Sequence, residues 1–428
     1  MGQGHSHGVH DHGAIDDVVD PRVRRALWWT VGVCAVVVVL GLIVLWPRGD
    51  DGRIDPLGLD SDPIPATVLS VEEVPCDFDP LLACKLIEMR IDGGELDGET
   101  RTIEQALSST FSSGDGILVT IEPLADGSEL ITFFDFQRST PMLLLLVLFV
   151  AAILVLGRWR GLGALAGLAM SLIVILVFAL PALLDGRNPV AIALVAAGAI
   201  AFVALFLAHG VTLATSVALL STFASLAITG ALAWIFLTVS NFTGLSDDSV
   251  GFLAALGSDI DPRGLLLAGV VIGALGVLDD VTVTQVSAVW ELKRATPEAH
   301  FRELIQPALR IGRDHISSTV NTLFLAYAGA ALPLLLLFSE ADQSISSVAT
   351  REIVAVEIVR ALVGSIGLVA SVPIATTLAA KVVSSTSTET PTSATTENTS
   401  TTQTGPATTP TPPPPPEPPA GYSHRPSS

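Results

Sequence analysis

Asp279 and Asp280 stand side by side in the apolar stretch GLLLAGVVIGALGVLDDVTVTQVSAVWEL, which begins at Gly264. The stretch reads as a membrane helix. A carboxylate at the bilayer centre costs roughly 2.5–3.5 kcal/mol on insertion scales. Acids in that position hold cations, carry protons or neutralise a buried base. Gly269, Gly273, Gly276, Asp280, Thr284, Ser287 and Glu291 recur every three or four residues, the spacing of one helix face. Adjacent helical positions point about 100° apart, so the two aspartates cannot converge on one partner. Asp280 belongs to the stripe, whose glycines let another helix or a pathway approach closely. Asp279 starts a neighbouring face.

Other apolar spans carry matching polar groups. Asp314, Ser317, Ser318 and Asn321 share a face, with Tyr327 further on, and Glu357 and Arg360 stand three apart before Gly364. Thr215, Ser221, Thr222, Ser225 and Thr229 mark a further span. An arginine within a span needs a counter-charge. Glu357 is the nearest candidate for Arg360, and Asp279 or Asp280 the alternative. The expected site is Asp280 and Asp279 with Thr284, Ser318, Asn321, Arg360 and Glu357. Interhelical glue is the competing reading of these residues.

The spans that must position them follow from composition. Of 428 residues, 50% are hydrophobic and 15% charged, a balance that points to the membrane class. Residues 1–25 form a His-rich, disordered start whose His5, His7, His10 and His12 are weak metal-ligand candidates. Residues 26–46 read as a signal anchor, with arginines before it and tryptophans at both ends. Residues 47–140 are acidic and include a segment, 48–138, of net charge −14. Short β-like runs separated by Gly/Asp turns there predict a small barrel or sandwich, OB-like. Cys76 and Cys84 flank a short loop, and a disulfide between them requires an oxidising compartment.

Residues 141–383 hold seven further spans: Pro141–Leu156, Leu162–Leu184, Val190–Ala208, Val211–Val239, Gly264–Leu292, Ile316–Phe338 and Ile353–Lys381. The expected fold is thus an α-helical polytopic membrane protein of about eight transmembrane helices. Its β-rich extracytoplasmic domain lies between helices 1 and 2. Arg158, Arg160, Lys293, Arg294, Arg302, Arg310 and Arg313 fall in loops on one side. The positive-inside rule then places both termini in the cytoplasm of a plasma-membrane protein. Residues 384–428, rich in Ser, Thr and Pro, read as a disordered tail.

At the polar stretches the chain resembles the YibE/F family of bacterial multipass membrane proteins. The carrying segments are AHGVTLATSVALLSTF (208–223), GALGVLDDVTVTQVSAVWEL (273–292), GRDHISSTVNTLFLAYAG (312–329) and EIVRALVGSIGLVASVP (357–373). The family pattern has an aspartate at the position of Asp280 and often a methionine at that of Asp279. The resemblance therefore implies Asp280 as the shared acid. It implies a membrane or transport role and names no substrate.

The reading is a secondary transporter, ion- or proton-coupled, because such sites lie near the midplane on glycine-interrupted helices. The histidines lean toward a divalent metal as substrate. The alternative is a non-transporting envelope component whose β-domain binds a partner. The expected partners are the lipid bilayer and a small ion or solute, with a homo-oligomer or envelope partner as a further option. No basic patch invites nucleic acid, no cofactor is expected, and no hydrolase, zinc-protease or P-loop motif occurs. An intramembrane aspartyl protease needs two converging acids, which adjacent aspartates do not supply. The chain is therefore not expected to be an enzyme.

Overall fold

The computed structural model describes residues 19–49, 63–76, 79, 82–106, 110–123, 129–246, 250–251, 261–340 and 344–385. The His-rich start (His5, His7, His10, His12) and the tail beyond Ser385 lie outside the described residues.

Helix α1, Pro21–Leu45, starts at Asp20, whose carboxylate accepts from the Arg22 N–H. Five strands follow: β1 (Ile64–Pro75), β2 (Ala83–Ile91), β3 (Thr100–Ala106), β4 (Gly116–Pro123) and β5 (Glu129–Phe136). They form one antiparallel sheet in the order β3-β2-β1-β4-β5, and its edge strands β3 and β5 approach one another. The result is nearly a barrel, filled by Ile87, Met89, Ile91, Ile117 and Val119. In β2, Ile87, Met89 and Ile91 are buried at alternate positions, as a half-buried strand requires. Cys76 and Cys84 are joined in a disulfide, Cα atoms 4.9 Å apart, bridging the loop between β1 and β2.

The membrane part comprises α2 (Ser139–Trp159), α3 (Gly161–Leu184), α4 (Pro189–His209), α5 (Leu213–Val239) and α6 (Pro262–Ala295), then α7 (Phe301–Ala330), α8 (Leu332–Glu340) and α9 (Glu352–Ser384). Among the described residues, seven helices are long and apolar enough to cross a membrane, and α7 with α8 make a further, bent candidate. Caps mark several starts. Asn188 accepts from the Ala191 N–H, Thr212 from Thr215, and Asp261 from Arg263, satisfying amides that a helix start leaves open.

Two features depart from straight spans. At the end of α2 the chain turns at Arg158, whose φ of 50° lies in the left-handed region. A Cβ on Gly161 would stand 2.7 Å from the Ile153 carbonyl oxygen. Eight residues of straight helix would hold them about 12 Å apart, so the chain doubles back there and only glycine fits. The expected single span Ile316–Phe338 is instead bent by 61° between α7 and α8. Pro333 follows the bend. Proline has no amide hydrogen and its ring clashes with the preceding turn.

Helices α5, α6 and α9 pack on one another and form the centre, with α4 and α7 outside them and α1 against α4. Lipid gives little hydrophobic drive between helices, so close packing and polar contacts must join them. Ser221, Thr222, Ser225 and Thr229 of α5 are fully buried, and each hydroxyl donates to the carbonyl four residues earlier. The Thr222 and Thr282 hydroxyls are 2.6 Å apart, linking α5 to α6. Gln285 Nε2 donates to the Ala308 carbonyl at 2.8 Å and to Thr376 Oγ1 at 2.7 Å, tying α6, α7 and α9 together. At the bundle edges, the Arg48 and Gly49 amides donate to Asp185. The Asp20 amide donates to the Ser385 carbonyl at 2.7 Å.

Two predictions follow from this packing. Gln285→Leu removes hydrogen bonds on two neighbouring helices and should cost about 1–3 kcal/mol, read as a lower melting midpoint in detergent. In the sheet, the Thr67 hydroxyl donates to Asp92, and Arg90 Nε lies 2.9 Å from the same carboxylate. The Thr67 bond, then Arg90, holds Asp92 below the usual carboxylate range, against an opposing effect of desolvation. A depressed carboxylate adds stability above its unfolded value, near 3.9, and loses it as pH falls through the folded value. Hydrogen-exchange protection of β1 and β2 should therefore fall more steeply below about pH 4 in the native chain than in Asp92→Asn.

Candidate functional site

The stripe on α6 is one face, and it is largely uncovered. Gly269, Gly273, Gly276, Asp280, Thr284 and Glu291 are exposed, and Ser287 is half-buried. Residues between them, among them Leu278, Val281, Thr282 and Gln285, are buried against α5, α7 and α9. Glu291 and Gly269 each lie eleven residues from Asp280, or about 16 Å along the axis. Asp280 is thus midway along a polar and glycine face of about 33 Å, close to the hydrocarbon thickness of a bilayer.

At one end of the face lies a cavity of about 650 Å³. Ser287 and Glu291 of α6 line it, with His209 at the end of α4, Thr212 and Thr215 at the start of α5, and Gly161 beside the α2–α3 turn. Glu291 is also paired with Arg294 at 2.8 Å. At the other end, side chains from α7 and α9 fill the room that glycine leaves. A Cβ on Gly273 would stand 3.7 Å from Tyr327 Oη, and one on Gly269 3.9 Å from Arg360 Nη2. In front of Gly276 nothing lies within 4 Å of such a Cβ.

The two aspartates diverge. Asp279 is half-buried, and its Oδ1 is buried without a hydrogen-bond partner. Asp280 is exposed, and its backbone carbonyl accepts from the Thr284 hydroxyl at 2.8 Å. Thr284 is thereby turned along its own helix rather than toward the acid.

The expected residues do not all meet. Arg360 Nη1 donates to Glu357 Oε1 at 2.9 Å. It approaches α6 at Gly269, about 16 Å along the axis from Asp280, well beyond a side chain's reach. Arg360 is therefore not the counter-charge of Asp280, because the three-residue spacing to Glu357 already supplies one. Ser318 and Asn321 are exposed on α7, whereas Ile316 and Val320 pack toward Val277 and Val281 of α6. The face of α7 that meets α6 is thus the apolar one. Among the described residues no hydrogen bond joins Asp280 to Ser318, Asn321 or Arg360. The sequence reading also missed His209 and Thr212 as cavity groups. Their signal was the AHGVT break between two apolar spans.

Helices able to cross a bilayer, joined through buried hydroxyls and exposing a polar face at mid-span, define a multipass membrane protein. The model of the YibE/F-like protein family matches residues 145–385, more than half of the chain, and the chain belongs to that family. No curated protein and no solved structure matches it.

The open face can be probed with a water-soluble thiol reagent, after Cys34→Ser removes the one cysteine outside the disulfide. Cysteines replacing Thr284 and Ser287 should react at least tenfold faster than those replacing Leu278 and Val281. Equal, slow reaction at all four positions would mean that lipid or protein covers the stripe.

Proposed function

We propose that this protein is a secondary transporter. A small cation, or a solute coupled to protons or ions, moves along the α6 face with Asp280 as its mid-membrane station. The observation that carries the reading is the continuous face from the cavity at Ser287 and Glu291 to the glycines before Tyr327 and Arg360, with one carboxylate midway. A charge there is costly, and such residues mark ion or proton pathways. Asp279 adds a buried oxygen with no hydrogen-bond partner one position away, a second place for a proton or cation. The His-rich start supports a divalent metal as the cargo.

The topology that goes with this reading has eight crossings and both termini in the cytoplasm of the plasma membrane. Its support is the hydrogen bond from Asp20 to Ser385, which brings the start of α1 beside the end of α9. An even number of crossings returns the chain to its starting side, so α7 and α8 would together cross once. The arginines of the α2–α3 turn and the lysine and arginine ending α6 agree with that side being cytoplasmic. The disulfide then falls in the oxidising compartment, as its chemistry requires.

A second reading makes the chain an envelope component that binds a partner through the sheet. It is favoured by Leu130 and Phe134 of β5, exposed on one face of the strand. Flux in proteoliposomes loaded separately with proton, zinc and manganese gradients separates the two. Asp280→Asn keeps the side-chain shape and should lower flux at least tenfold with unchanged folded yield, and Asp279→Asn should have a smaller effect. Equal flux in Asp280→Asn and the native chain would remove Asp280 from the pathway. No flux with any gradient would favour the second reading.

A further inference from the structure

A second cavity, of about 590 Å³, lies on the other side of Tyr327 from the glycine face. It exists because of the bend at Pro333: α8 swings away from the line of α7 and leaves a gap beside α9. Its walls are apolar, among them Phe324, Leu335 and Phe338 from α7 and α8, and Ile358 and Ala361 from α9. Phe324 is 60% exposed, so the gap communicates with the surroundings of the bundle. Three polar side chains line it, the Tyr327 phenol, the Glu357 carboxylate and the exposed Ser339. Arg360, which holds Glu357 at 2.9 Å, lines the small gap on the α6 side instead.

We infer that this cavity binds a neutral amphiphile, an apolar chain carrying a free hydroxyl, with the hydroxyl between Tyr327 and Glu357. The walls select the chain, since pockets of this size bind through apolar contact and a few placed polar groups. The polar end selects the head. Glu357 is neutralised by Arg360, so the end carries no net charge for a cation to meet. An anionic head would face the carboxylate directly. The carboxylate accepts one hydrogen bond from Arg360 and keeps lone pairs for another, and the phenol both donates and accepts. A hydroxyl donates to Glu357 and accepts from Tyr327. The free hydroxyl of a diacylglycerol and that of a long-chain alcohol present the same chemistry.

The inference goes beyond transport at Asp280 and is read by binding, so either reading can fail without the other. The full-length protein in detergent is labelled with a hexadecanol bearing a photoreactive diazirine, and the labelled peptides are mapped by mass spectrometry. Label should fall on residues 324–338 and 354–361. Ala361→Trp, in α9, and Ala349→Trp, in the short helix Ile345–Ala349 that precedes it, fill the cavity and should each abolish the label, whereas Leu336→Trp, outside the lining, should not. Tyr327→Phe should weaken labelling roughly tenfold, the effect of about 1.4 kcal/mol. The methyl ether of the probe, which cannot donate to Glu357, should label at least tenfold less. Competition by dioleoylglycerol or by plain hexadecanol identifies which source of the hydroxyl fits better, and competition by either supports the site. Label unchanged in both folded tryptophan variants, or equal label from alcohol and ether, would overturn the inference.

Discussion

A polar group inside a bilayer must find a partner within the protein, because the hydrocarbon offers none. Most of the helical part obeys that constraint in plain sight. The α5 hydroxyls bond back to their own helix, Gln285 reaches two neighbours, and Arg360 has Glu357. Each such bond between membrane helices is worth only about 0.6 kcal/mol on average. Together they fix how α5, α6 and α9 meet, which decides the face of α6 left outside. On that face, and at the residue beside it, the rule is broken. Asp280 is exposed and Asp279 keeps a buried oxygen without a hydrogen-bond partner. The cost of one such charge exceeds several of the bonds that hold the helices, so packing alone does not explain its presence.

The glycines on the same face have a comparable physical role. Gly269 and Gly273 leave room that Arg360 and Tyr327 occupy. A Cβ at either position would meet these side chains at ordinary contact distance, and a larger side chain would have to displace them. Gly276 is different, since nothing fills the space in front of it. The face therefore changes character along its length. It is closed by neighbouring side chains near Gly269 and Gly273, open at Gly276 and Asp280, and becomes a cavity wall at Ser287 and Glu291.

Much of this was legible in the residues, and the rest was hidden for identifiable reasons. Hydropathy located the long helices, and the short β-like runs between Gly/Asp turns fall on β1, β2, β4 and β5. Strand β3 was missed because TRTIEQA buries Ile103 alone and pairs only with β2 along its length. The three- and four-residue spacing exposed the α6 stripe and correctly separated the two aspartates. It could not say which face of α7 would turn to α6. Both faces of that helix are plausible by pattern, and Leu309, Ile316 and Val320 won because Val277, Val281 and Val372 offer them an apolar seat. The partner of Arg360 was a choice between a near residue and a distant one, and the near residue took it.

Pro333 had the largest consequence that hydropathy could not show. The stretch from Ile316 to Phe338 is apolar enough to read as one crossing, and a window average does not register a missing amide hydrogen. The bend it imposes turns the second half of the span aside, so α7 and α9 do not seal along their whole length. Tyr327 then stands between two spaces, the larger apolar cavity on one side and, on the other, a small gap that Gly273, Arg360 and several apolar residues line. Glu357 and Arg360 divide in the same way, the acid toward the first space and the base toward the second. The two spaces thus share the Tyr327 phenol and are divided by the Glu357–Arg360 pair.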